Sequence, residues 1–322
     1  MRRGNPPGAA DRVATLTPRR RLQLALAGLW VLDGLLKLQP FMFTKSFAPM
    51  TLGDAADGAP GWLAHPIDWA SSLDQHHPVG LMLLFALVEL LIGFGIALPA
   101  TVKPALVACM LWVPFLWFFA EGLGGLASGS PSAFTGAPGA SILYGVLAVL
   151  LWPSGRDEPS EAARFIGSRW SQVVWIVLWG LLAFLAFLPV NRSADAFSDA
   201  ISGNGQGAPS WYVSALNHAS SLTAGHGGVV GVVFGVLLAL VAVSVLAPWR
   251  RAVRGGMVLG VVLAALIWVF GEGFGMPFMG MGTDPDTGPL LALLALAFWP
   301  ALRPATAPQA PLAGAAVEGA AA

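Results

Sequence analysis

The chain has 322 residues, 56% of them hydrophobic and 11% charged, with a mean hydropathy of +0.70. A water-soluble domain carries about 25% charged residues, so this composition excludes an ordinary soluble protein and points to the lipid bilayer. Seventeen basic and seventeen acidic residues cancel, so net charge says nothing about partners; the lipid bilayer is the expected one, and nucleic acid is not expected. The lone Cys109 sits in an apolar run, cannot form an internal disulfide, and reads as a small core residue.

Residues 1–21 are basic and polar, with no apolar core behind the first arginines, and read as a disordered cytoplasmic tail. A spanning helix needs about 20 apolar residues. Eight runs approach this, starting near Leu22, Val79, Pro104, Gly139, Ser171, Gly228, Gly256 and Gly288. The fourth and eighth are short, at about 14 residues. Residues 22–153 and 171–301 hold four runs each, 154–170 form a linker, and 302–322 are a disordered Ala/Pro-rich tail. With both termini in the cytoplasm, fourteen of the seventeen basic residues fall on the inner side, and only Lys45 and Arg192 fall outside. The expected location is the plasma membrane.

The two halves are similar to each other. "WFFAEGLGG" from Trp117 corresponds to "WVFGEGFGM" from Trp268, which pairs Glu121 with Glu272. "GAPGW" ending at Trp62 corresponds to "GAPSW" ending at Trp211, and His77 falls on His226. Four spans per half give both halves the same orientation. The expected fold is therefore all-α, with eight transmembrane helices as two parallel-repeat four-helix bundles. The segments "GWLAHPIDWASSL" and "SWYVSALNHASSL" are expected as short surface helices anchored by tryptophan.

Chemistry is sought where polar residues enter apolar runs. Glu121 and Glu272 stand at helix ends, each followed by glycine, with Glu272 also preceded by one. Either their oxygens bind backbone N–H groups of a tight loop, or they serve a ligand or proton. Asp33 and Lys37 are four apart on one helix face and can pair. Glu89 stands in the second run. Neither the Asp33–Lys37 pair nor Glu89 has a charged counterpart in the second half, where Leu182 and Ala186 replace the pair. Asp33, Lys37, Gln39 and Glu89 are the candidate ligand-holding residues, and the alternative is a neutralised cluster that fastens two helices. On the outer side, His77 and His226 are candidate metal ligands or helix caps. They could be joined by Glu121, Glu272 and the Met276, Met279 and Met281 cluster, whose thioethers suit copper.

"GLLKLQP" (Gly34–Pro40) followed by "ELLIGFGIAL" (Glu89–Leu98) resembles the DoxX-like membrane proteins, with Lys37 and Glu89 at the matching positions. The second half departs from both motifs. The resemblance implies four-helix units and, among relatives, membrane subunits of quinone-linked redox systems. The leading expectation is therefore a membrane subunit that binds a quinone and works with a membrane or extracytoplasmic redox protein. The alternatives are an outer-face copper binder or transporter, and a ligand-free accessory subunit.

Overall fold

The computed structural model describes residues 16–153 and 168–299, and these are helical with no strand among them. Residues 1–15, 154–167 and 300–322, which include most of the expected tails and linker, lie outside the described residues. The helices are α1 (Pro18–Leu36), α2 (Phe47–Ala56), α3 (Gly61–His76), α4 (Pro78–Ala97), α5 (Val102–Phe119) and α6 (Ala140–Leu150) in the first half. The second half has α7 (Ser168–Ala186), α8 (Ala196–Gly203), α9 (Ser210–Thr223), α10 (Gly227–Ser244), α11 (Arg250–Leu266) and α12 (Thr287–Ala297).

A helix stands at each of the eight expected positions, but the boundaries differ. Thr17 accepts a hydrogen bond from the Arg20 N–H, so α1 starts at Pro18, earlier than Leu22. Among the described residues, five helices are long and apolar enough to cross a membrane: α4, α5, α7, α10, and α11 with its extension to Gly271. The first expected span, α1, carries Arg19, Arg20, Arg21 and Asp33. The fourth and eighth, α6 and α12, have 11 residues each and are shorter than expected.

The α1–α4 pair depends on glycine. A Cβ on Gly34 would stand 2.7 Å from Leu90 Cγ, and one on Gly93 would stand 2.7 Å from Val31 Cγ2. Bare backbone on both helices lets the axes approach closely, as in small-residue contacts between membrane helices. At the other end of α1, the Arg20 guanidinium donates to the carbonyls of Ile96 (2.9 Å) and Ala97, closing the C-terminus of α4. Gln23 Nε2 donates to Leu151 O at 2.8 Å and ties in the end of α6.

The halves meet where α12 packs on α6 and α1. Each half also sends a loop into the other. The Asn191 side chain donates to Pro131 O at 2.7 Å. Beside it, Phe134 packs its ring 4.8 Å from Phe197 and 5.8 Å from Phe234, centroid to centroid. In return, the loop before α12 lies over the end of α1: Gln39 Nε2 donates to Gly282 O at 2.9 Å.

Candidate functional site

A cavity of about 270 Å³ lies inside the first half, under the second half's loop. Its walls come from all six helices of the first half, α1 to α6, and are mainly apolar and aromatic, with Trp69, Phe85, Phe115, Phe119 and Tyr144 among them. Asp33, Lys37, Asp74, Glu89, Glu121 and Asp284 also reach it. One lysine thus faces five carboxyl groups in an apolar enclosure.

Asp33, Lys37 and Glu89 come together at the cavity wall. Lys37 Nζ stands 2.8 Å from Glu89 Oε2 on the neighbouring helix, not on its own-helix neighbour Asp33. The close α1–α4 contact brings Glu89 within reach, and a helix-to-helix ion pair results. The Lys37 ammonium also donates to Thr283 O at 3.1 Å, so a residue from the far half completes the site. An ammonium has three N–H donors, and these two partners leave one for a ligand. Lys37 is 7% exposed, Asp33 2% and Glu89 0%. Asp33 lies beside the Tyr144 hydroxyl, and one Asp33 oxygen makes no hydrogen bond. Gln39 is not part of the cavity wall: its amide donates to Leu36 O and Gly282 O, both at 2.9 Å, and holds the covering loop.

Glu121 and Glu272 bind backbone. Glu121 Oε1 accepts from Ser141 N (2.8 Å) and Ser141 Oγ (2.7 Å), at the start of α6. Glu272 Oε1 accepts from Thr287 N at 3.2 Å and from the Thr287 hydroxyl, and its Oε2 accepts from Gly288 N at 3.0 Å. Each carboxylate thus supplies the missing acceptor at the N-terminus of a short helix, where the helix dipole also favours negative charge. The glycines let the chain turn back between acid and helix. Gly124, for example, has φ +64, and a Cβ there would stand 1.8 Å from Pro138 O. Burial pushes the Glu121 carboxyl up to about 7, with the negative charge of Asp284 adding to it. Burial also pushes Glu272 up to about 7, against the pull of its hydrogen bonds.

The five histidines are exposed. His77 and His226 occupy the positions just before α4 and α10, but neither side chain caps its helix. His226 Nδ1 instead lies 2.8 Å from Ala224 O. Met276 is exposed, and Met279 and Met281 are partly buried. Among the described residues, no three His, Cys, Asp or Glu side chains come together in an arrangement that could hold a metal ion.

Sequence reading missed Asp74, Asp284, Tyr144 and the aromatic wall. Asp74 had a usable signal. It aligns with Thr223 in the second half, so it is unmatched in the same way as Asp33 and Glu89. Asp284 had none, because it reaches the cavity only through the crossing of the two loops. Phe85 aligns with Phe234, where Phe134 fills the space. On the first-half side Thr283 and Asp284 reach the cavity instead, and the space stays open.

No protein-family model, curated protein or solved structure matches this chain.

Proposed function

We propose that this is a multi-pass plasma-membrane protein of two tandem four-helix units, related to the DoxX-like proteins. In this reading all eight helices at the expected positions cross the bilayer, with both termini in the cytoplasm. Its first unit holds the head group of a lipophilic molecule, in the first instance a quinone, as the membrane subunit of a redox system. The observation that carries this reading is the buried Lys37–Glu89 pair, 2.8 Å apart, facing a cavity walled by aromatic rings. Charges at membrane depth are costly and are kept where they serve a site.

The chemistry follows from the residues. A quinone carbonyl accepts the remaining Lys37 N–H, while Phe85 and Phe115 offer flat apolar faces to the ring. Reduction of a quinone to a quinol takes two electrons and two protons. The carboxyls of Asp33 and Glu89 and the Tyr144 hydroxyl stand at the cavity wall to pass protons. A partner redox protein supplies the electrons. The second half supports a division of labour: Leu182, Ala186 and Leu238 stand where Asp33, Lys37 and Glu89 stand in the first, and all three are buried and apolar. It serves as a scaffold that lends its loop to the site.

The test is organic extraction of the purified protein, with quinone quantified against protein. The reading expects a quinone in near-stoichiometric amount, lost in Lys37→Met. Wild-type protein purified from a quinone-containing membrane without any quinone would count against it.

A further inference from the structure

The cavity has a second polar element. Asp74, on α3, lines it and is 3% exposed. Neither of its carboxyl oxygens has a hydrogen-bond partner. Burial pushes this carboxyl up to about 6, and no neighbouring positive charge offsets it. The cavity's one cation is already engaged by Glu89 and Thr283 O. A buried carboxylate with both oxygens free is a costly arrangement unless something positive, or a proton, meets it.

The surroundings select the kind of cation. Divalent metal ions take about six or more oxygen ligands. The cavity wall that Asp74 shares includes Trp69, Ala70 and Leu73 from its own helix and Leu116 and Phe119 from α5. Among the described residues, no three His, Cys, Asp or Glu side chains come together to replace the water of a metal ion, so such an ion does not fit. An organic ammonium does: the carboxylate takes the charge, the aromatic rings attract it through their faces, and the apolar wall takes the hydrocarbon body.

We infer that Asp74 and the aromatic wall beside it form a subsite for a lipophilic organic amine, taken as its ammonium form. This rests on reading the cavity as a small-molecule site, and not on the ligand at Lys37 being a quinone. It adds a charge requirement that a quinone pocket alone does not have.

The test compares two probes of the same shape, 3-phenylpropylamine and the uncharged 3-phenylpropanol, titrated by calorimetry into the full-length protein in detergent. The inference expects the amine to bind roughly tenfold more tightly than the alcohol. Asp74→Asn brings the two within about twofold, and Asp74→Glu keeps the preference. Equal binding of amine and alcohol to wild type overturns the inference without any variant. A preference that survives Asp74→Asn also overturns it, as does full displacement of the amine by millimolar sodium. A short-chain quinone titrated into the same wild-type samples reads the proposed function separately. Amine preference without quinone binding leaves the subsite standing and removes the quinone. Quinone binding without amine preference does the reverse.

Discussion

Lys37 Nζ and Glu89 Oε2 lie 2.8 Å apart across the α1–α4 contact, with the two residues 7% and 0% exposed. An ion pair this deep contributes little net stability, because desolvation offsets its attraction. Breaking it from one side is another matter. Lys37→Met leaves Glu89 uncompensated and is expected to cost about 3–5 kcal/mol. The second half supplies the replacement that avoids this, since Ala186 and Leu238 occupy the equivalent places. The double variant Lys37→Met/Glu89→Leu is therefore expected to melt within a few degrees of wild type while the single variant melts far lower. Thermal unfolding in detergent, followed by tryptophan fluorescence, checks both.

The paired glutamates predict a pH dependence of stability. Glu121 and Glu272 titrate near 7 in the folded protein, against about 4.3 when unfolded. The folded state therefore holds more protons between these values, and stability falls as pH rises through that window. Above about pH 8 these two groups add no further slope. For Glu272, at 3% exposed, the loss is at most about 1.4 kcal/mol per pH unit. Melting temperatures measured from pH 5 to pH 8 should decline, and Glu272→Gln should flatten the decline.

Phe134 crosses from the first half to pack between Phe197 and Phe234. Truncating it removes a large buried side chain and opens a void in the second half. Phe134→Ala is expected to destabilise by about 3–5 kcal/mol. Because the loops are exchanged, the loss should appear in a single unfolding transition of the whole protein, which calorimetry would show. Two separate transitions would mean that the halves fold independently.

Membrane sidedness is testable with little background, since Cys109 is fully buried and is the one cysteine in the chain. Single cysteines at His77 and His226 should react with a membrane-impermeant maleimide on intact cells. Cysteines at Lys103 and Arg251 should react only after permeabilisation. Any other pattern would overturn the eight-span arrangement.

The eight helix positions were legible because apolar runs carry that information directly. Lys37 and Glu89 were legible because charges stand out in such runs. The pairing was not: spacing along α1 favoured Asp33, whereas the Gly34 and Gly93 approach put Glu89 nearer to the ammonium. Asp74 was not singled out, although Thr223 at the matching place left it as unmatched as Asp33 and Glu89. Asp284 and Thr283 lie 246 or more residues from Lys37 in sequence, and no local pattern foretells such a contact. Glu121 and Glu272 carried two readings in the sequence, and their oxygens accept from the backbone N–H groups of Ser141, Thr287 and Gly288.

The measurement closest to the central claim is the affinity of the purified protein for a water-soluble short-chain quinone, compared between wild type and the Lys37→Met/Glu89→Leu variant. The double variant is expected to keep the fold while losing the polar head-group site, and its melting temperature, read on the same sample, separates lost binding from unfolding. The account predicts micromolar binding to wild type and a loss of at least about tenfold in the variant. Equal affinity in both, or no binding to wild type, would contradict it.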